Sequence, residues 1–236
     1  MSINNNRGLL TVDTVMGHFV TDAVDLSNAL RIEDKKMYTH QPGDWYKTQD
    51  DAALAFGLTY IGRSNAESLE YGGVIFREWA NGKSMFTFDD VIVGTEKKVE
   101  VKYNWSRVVV AGIHTHPVPG GNSLFTRADA SHVAGMNRRA TQLAEAGIEK
   151  NKISSVNALT ANSPFGKLSI DVSTLDQYAS ISPVFYLANG IGQLKVIDGQ
   201  AIDKINMDPS IGMDSETPIP NSYSITIVKN MLRHIQ

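Results

Sequence analysis

Hydrophobic and polar positions along this chain follow two rhythms, and each change of rhythm marks an element. In "DDAALAFGLTYIGRSNAESL", which opens at Asp50 and Asp51, Ala52, Ala53, Phe56, Tyr60 and Ile61 fall on one apolar face, predicting a helix of about four turns. Its acidic opening residues suit the positive end of a helix. After it, "LEYGGVIFREWANGKSMFTFDDVIVG" and "KVEVKYNWSRVVVAGIH" are rich in β-branched and aromatic residues, predicting three or four strands, and Asn81-Gly82 is a hairpin turn signal. From Thr126 to Gly147 the spacing is helical again, through Ala128, Val133, Met136, Ala140, Leu143 and Ala144, with Gly147 expected to stop the helix. Two more hairpins are expected. One lies in "VNALTANSPFGKLSIDV", turning at Ser163 to Gly166, and the other in "PVFYLANGIGQLKVID", turning at Asn189-Gly190.

The ends are less regular. Val15, Phe19, Val20, Val24, Leu26, Leu30 and Ile32 fit a helical spacing imperfectly, so residues 1–40 read as an N-terminal extension to a core at 41–200. Residues 201–236 carry Pro209, Pro218 and Pro220 with little periodicity and read as an irregular C-terminal segment, closed by an apolar stretch from Ile225 to Ile235. The succession of helix, strands, helix and hairpins predicts an α/β or α+β fold with one mixed sheet flanked by helices. The chain has no internal repeat and no low-complexity tract.

Composition narrows the chemistry. With 236 residues, 42% of them hydrophobic, the chain is long enough for a buried core. Its 22 basic and 25 acidic residues leave a charge of −3 with no long basic run, which disfavours nucleic acid as a partner. The absence of cysteine excludes disulfides, a thiol nucleophile and a Cys-ligated zinc, so any metal must sit on His, Asp or Glu. No window approaches the roughly 18 apolar residues of a membrane span, and the start lacks a basic segment followed by an apolar one. The expectation is a soluble protein, either cytoplasmic or secreted without a conventional signal peptide.

Candidate chemistry gathers in "AGIHTHPVPGGNSLFTRADASHV", Ala111 to Val133. Strand side chains repeat every two residues, so His114 and His116 share a face, and Pro117 puts them at the strand's exit. Neutral imidazoles suit Zn²⁺ at about 2.0–2.1 Å. A third ligand is expected from Asp129 in the first turn of the following helix, with His132, on the same helical face, as the alternative. A catalytic zinc keeps one position for water, whose pKa falls to about 7, and a carboxylate outside the ligand set takes the water's proton. Glu67, Glu70 and Glu78 are the candidate bases, and only Glu70 stands just ahead of a Gly-Gly pair where backbone can approach a substrate. Plainer readings stand beside these. His114 and His116 can be strand-end histidines bonded to backbone, and Thr126-x-x-Asp129 spells a capping box. His18, His40 and His234 have no partner motif, and Trp45, Trp79 and Trp105 read as packing anchors, since no basic residues interleave them.

These residues resemble the JAMM metallopeptidases, also called JAB or MPN-plus domains. Their pattern is a glutamate opening a Gly-containing strand, then His-x-His-Pro, then Ser-x-x-Asp. Here "EYGGVIF" supplies Glu70, "HTHP" supplies His114, His116 and Pro117, and "TRAD" supplies Thr126 and Asp129. The chain is especially similar, over roughly residues 50–198, to uncharacterised JAB-like domains at the C-termini of bacterial polymorphic toxins and RHS-repeat proteins. The resemblance implies a JAB/MPN-like (cytidine-deaminase-like) fold, zinc on His114, His116 and Asp129, Glu70 as the base and Thr126 assisting the oxyanion. It also implies a peptide or isopeptide substrate. The toxin setting extends this to an antibacterial or host-directed effector acting on peptidoglycan cross-links or on a target-cell protein, with a cognate immunity protein or a secretion component as partner. The threonine in place of the family's serine, and a longer loop after His116 than in the deubiquitinating members, depart from the pattern. Two other readings remain: a JAB-like scaffold without catalysis, and a metal-dependent nuclease or deaminase, which the acidic balance and lack of cysteine disfavour.

Overall fold

Thr48 starts the first helix. Its hydroxyl accepts the Asp51 N–H at 3.1 Å, satisfying one of the donors a helix start leaves open, and α1 (Gln49–Glu67) follows. Ser68, in the left-handed region at φ 54°, ends it. The computed structural model describes residues 40–80, 82–118, 123–155, 170–220 and 225–230. The expected extension, except for His40, and most of the hairpin expected around 163–166 lie outside these residues.

β1 (Tyr71–Ala80) and β2 (Lys83–Val93) form the predicted antiparallel hairpin, with Gly82 at φ 73° in its turn. β3 (Val108–His116) pairs antiparallel with β1 on its other side. The chain then runs through α2 (Arg127–Ser155) and α3 (Val172–Tyr178) before β4 (Val184–Asn189) returns parallel to β3. A parallel pair needs such a long crossover. The hairpin of β4 and β5 (Gln193–Ile197), helix α4 (Gly199–Met207) and β6 (Ile225–Asn230) complete the order β2-β1-β3-β4-β5-β6. The result is a mixed sheet with helices on both faces, in the expected α+β class.

β3 is central and buried along its whole length, as a strand covered on both faces must be. On one face Ala52, Ala53, Phe56 and Ile61 of α1 pack against Tyr71, Ile75, Phe88 and Ile113. On the other, Val133 and Met136 of α2 and Ala201, Ile202 and Ile205 of α4 pack against Phe185, Leu187 and Ile197. Alternation therefore turns Ile113 and Thr115 towards α1, where the Thr115 hydroxyl donates to Ser64 Oγ at 2.8 Å. It turns His114 and His116 towards α2.

The structure departs from the sequence reading in three places, and narrows it in one, since the three strands found before α2 are the lower of the three or four expected. Gly147 does not stop α2, which continues to Ser155; a Cβ at Gly147 would lie 3.1 Å from Leu175, so glycine there lets α3 lie against α2. Residues 201–236 are not irregular throughout, since α4 and β6 both build on this region. "KVEVKYNW" adds no strand, and its Val99 and Val101 instead pack over Gly72, where a Cβ would come within 2.9 Å of both. That close packing also favours glycine at position 72. Of the tryptophans, Trp105 anchors packing, whereas Trp45 and Trp79 are 47% and 65% exposed.

Candidate metal centre

Four residues meet where β3 leaves the sheet. His114 and His116, both nearly inaccessible to solvent, bring their Nε2 atoms to 2.8 Å. Asp129 Oδ1 lies 3.3 Å from His114 Nε2, and Asp129 Oδ2 lies 4.0 Å from His116 Nε2. Glu70 Oε1 lies 3.8 Å from His116 Nε2. Glu70, His114 and His116 each offer a ligand atom within 4.8 Å of the others.

Each arrives by local rules. Gly72 is paired with His114 in the sheet, so the residue just before β1 comes to the end of β3. Glu70 is fixed there by two 2.8 Å backbone bonds, its N–H donating to Thr95 and its carbonyl accepting from Gly94. Asp129 comes from the first turn of α2, where Thr126 and Asp129 form the capping box anticipated as an alternative to ligation. Asp129 Oδ2 accepts the Thr126 N–H at 2.7 Å and the Thr126 hydroxyl at 3.0 Å. Cap and ligand need not compete, because the two oxygens divide the work: Oδ2 holds the helix start and Oδ1 faces His114.

Burial sets the electrostatics. Glu70 is pushed up to about 8, chiefly by burial and then by the charges of Asp129 and Glu216, against a backbone hydrogen bond from Val99. His114 is pushed down to about 3, again mainly by burial, with His116 and His132 adding to the effect and Asp129 and the Tyr186 backbone opposing it. Its imidazole, stacked on Phe185 with centroids 4.9 Å apart, is therefore neutral at physiological pH, the form that binds metal.

The other candidates are engaged elsewhere. Glu67 pairs with Arg63 and accepts from the Tyr71 hydroxyl, and Glu78 pairs with Arg107. His132 stacks on Phe185 and leans on Tyr103; neither it nor Asp129 is among the three residues whose ligand atoms all lie within 4.8 Å of one another, although Asp129 Oδ1 lies 3.3 Å from His114 Nε2. His40 bonds the Tyr46 hydroxyl at 3.0 Å.

The sequence reading missed the wall beside the site. The segment after α4 is stitched to the start of α2: Ala128 N–H donates to Ser215 O at 2.9 Å, Arg127 N–H to Thr217 O at 3.0 Å, and Ile219 N–H to Phe125 O at 2.7 Å. This brings Glu216 close enough to influence Glu70. Glu216 carries no local sequence signal, since only long-range backbone pairing places it.

Glu70, His114 and His116 could hold a metal ion, with Asp129 beside them. Bonds of about 2.0–2.1 Å at tetrahedral angles separate neighbouring ligand atoms by about 3.3 Å. The Asp129–His114 distance of 3.3 Å matches, and the His114–His116 distance of 2.8 Å must open slightly. Glu70, at 3.8 Å from His116, stands further off. Comparison of the chain with known protein families, curated proteins and solved structures finds no match.

Proposed function

We propose that this protein is a zinc-dependent amide hydrolase acting on peptide or isopeptide bonds. One observation carries the reading: two buried histidines lie between two carboxylates with unequal surroundings. Asp129 is tied by two hydrogen bonds at a helix start, whereas Glu70 is buried with its pKa raised to about 8. Carboxyl pairs so differentiated divide binding from proton transfer. In this reading His114, His116 and Asp129 hold the ion. Zinc supplies Lewis acidity and brings the pKa of a coordinated water to about 7.

Glu70 takes a proton from the attacking water as its oxygen bonds to the scissile carbonyl carbon. It returns that proton to the amine nitrogen as the C–N bond breaks; a cation beside it would favour the ionised carboxylate that can accept the proton. Thr126 keeps Asp129 in place. For its hydroxyl to assist the oxyanion as well, it must exchange its bond to Asp129 Oδ2. The resemblance to toxin-borne domains extends the proposal to an effector that cleaves peptidoglycan cross-links or a target protein and is held in check by an immunity partner.

A second assignment draws on the grouping of Glu70 with both histidines, which makes Glu70 the third ligand and leaves proton transfer to Asp129. Elemental analysis of the untagged protein, with hydrolysis of peptide, isopeptide and peptidoglycan substrates, decides between the two. The expected result is about one zinc per chain in wild type and Glu70→Gln, little in His114→Ala, and hydrolysis in wild type alone. Loss of zinc from Glu70→Gln would favour the second assignment. A folded wild type that takes up no zinc would sink both and leave a scaffold.

A further inference from the structure

The face of the sheet that carries the histidines also buries a lysine. Lys195 on β5 pairs with Leu187, and Leu187 pairs with His114, so all three project to the same side. Lys195 is 1% exposed, and burial lowers its pKa. Its ammonium donates to the carbonyl of Ser123 at 2.7 Å. The same carbonyl accepts from Asn189 Nδ2 at 3.0 Å, and Asn189 is the sheet partner of His116.

Ser123 belongs to the connection between His116 and Thr126, three residues before the cap of α2. The two donors thus tie the approach to α2 down onto the strand ends that bear the histidines. The carbonyl already accepts from Asn189, and burying an ammonium beside it costs solvation free energy that an apolar side chain would not lose.

We infer that Lys195 is a positioning residue for the metal centre: with Asn189 it fixes Ser123, and through Ser123 the start of α2, so that Asp129 meets His114. The inference rests on the zinc reading above. Groups that orient metal ligands from behind typically govern affinity by about 10–100-fold. A role in the centre, unlike one in folding, separates metal affinity from stability.

The test measures zinc affinity by competition with a chromophoric chelator and thermal unfolding of the metal-free protein, in wild type, Lys195→Met and Lys195→Arg. Methionine keeps an unbranched stem of similar bulk without the charge, and arginine keeps a donor. The expected outcome for Lys195→Met is zinc binding about 10–100-fold weaker with a melting temperature equal to or above wild type. Lys195→Arg is expected to recover most of the affinity. Equal affinity in wild type and Lys195→Met overturns the inference, and so does an equal loss in both variants with a parallel fall in melting temperature, because packing then explains the effect. If Lys195→Met does not fold, Lys195→Gln carries the same comparison under the same criteria. Failure of wild type itself to bind zinc overturns the metal reading instead, which keeps the two failures apart.

Discussion

Asp129 offers the sharpest test of the site, because its two oxygens perform separable tasks. Asp129→Asn keeps a side-chain oxygen that can accept from Thr126 while turning an uncharged NH₂ towards His114. Asp129→Ala removes both functions. Deleting a capping side chain costs about 0.5–2 kcal/mol, which in a domain of this size lowers the melting temperature by about 2–4 °C per kcal/mol. The metal-free alanine variant is therefore expected to melt a few degrees below wild type, and the metal-free asparagine variant within about a degree of it. Zinc affinity is expected to fall in both, because the anionic ligand 3.3 Å from His114 is gone in both. Chelator competition reads the affinity and calorimetry of the metal-free proteins reads the cap. Asparagine binding zinc as tightly as wild type would refute the ligand assignment, and alanine melting with wild type would refute the cap.

Two further perturbations follow from burial. In the metal-free protein Glu70 holds its proton to about pH 8 in the fold but only to about 4.5 when unfolded, so the folded state binds more protons between those values and stability falls as the pH rises through them. His114 titrates at about 3 folded and 6.5 unfolded, so stability falls as the pH drops from 6.5 towards 3. His132, also lowered by burial, adds to the rise on the acid side, so urea denaturation in a chelator is expected to show stability rising with pH up to about 6.5 and falling towards 8; a continued rise between 6.5 and 8 would contradict the burial of Glu70. Ile219→Ala removes a fully buried side chain whose own N–H is bonded to Phe125, so a loss of about 2–5 kcal/mol is expected in the same assay. A loss below about 1 kcal/mol would mean that the stitched segment is not part of the core.

The site was legible in the sequence where its geometry is local. Period-two alternation is enough to put His114 and His116 on one face, and a carboxylate three residues after a threonine is enough to mark the start of α2. What escaped depends on distant backbone. Glu216 and Ile219 are placed by hydrogen bonds to the start of α2, far away in sequence. Helix α4 is only nine residues long, and its buried Ala201, Ile202 and Ile205 give too few periodic positions to stand out beside Pro209. Gly147 misled for a different reason: the same residue that commonly ends helices also permits close packing, and the contact with α3 decided. Treating cap and ligand as alternatives for Asp129 counted a carboxylate as one acceptor when it has two oxygens.

The cost of the site argues for its use. On the α2 side of the sheet, where Val133, Met136, Phe185, Leu187 and Ile197 form an apolar layer, the chain also buries His114, His116, Asn189 and Lys195, with Glu70 at the margin. Each loses solvation, and Glu70 and His114 respond by shifting towards their neutral forms. A layer of leucine and isoleucine would pack there at lower cost, and such a departure from consistency between sequence and fold is where function is expected to override stability. The polar residues are also connected: Lys195 and Asn189 hold Ser123, Thr126 holds Asp129, and Asp129 meets the histidines. A cation on His114, His116 and Asp129 would favour the ionised form of Glu70 and the neutral form of His114 together.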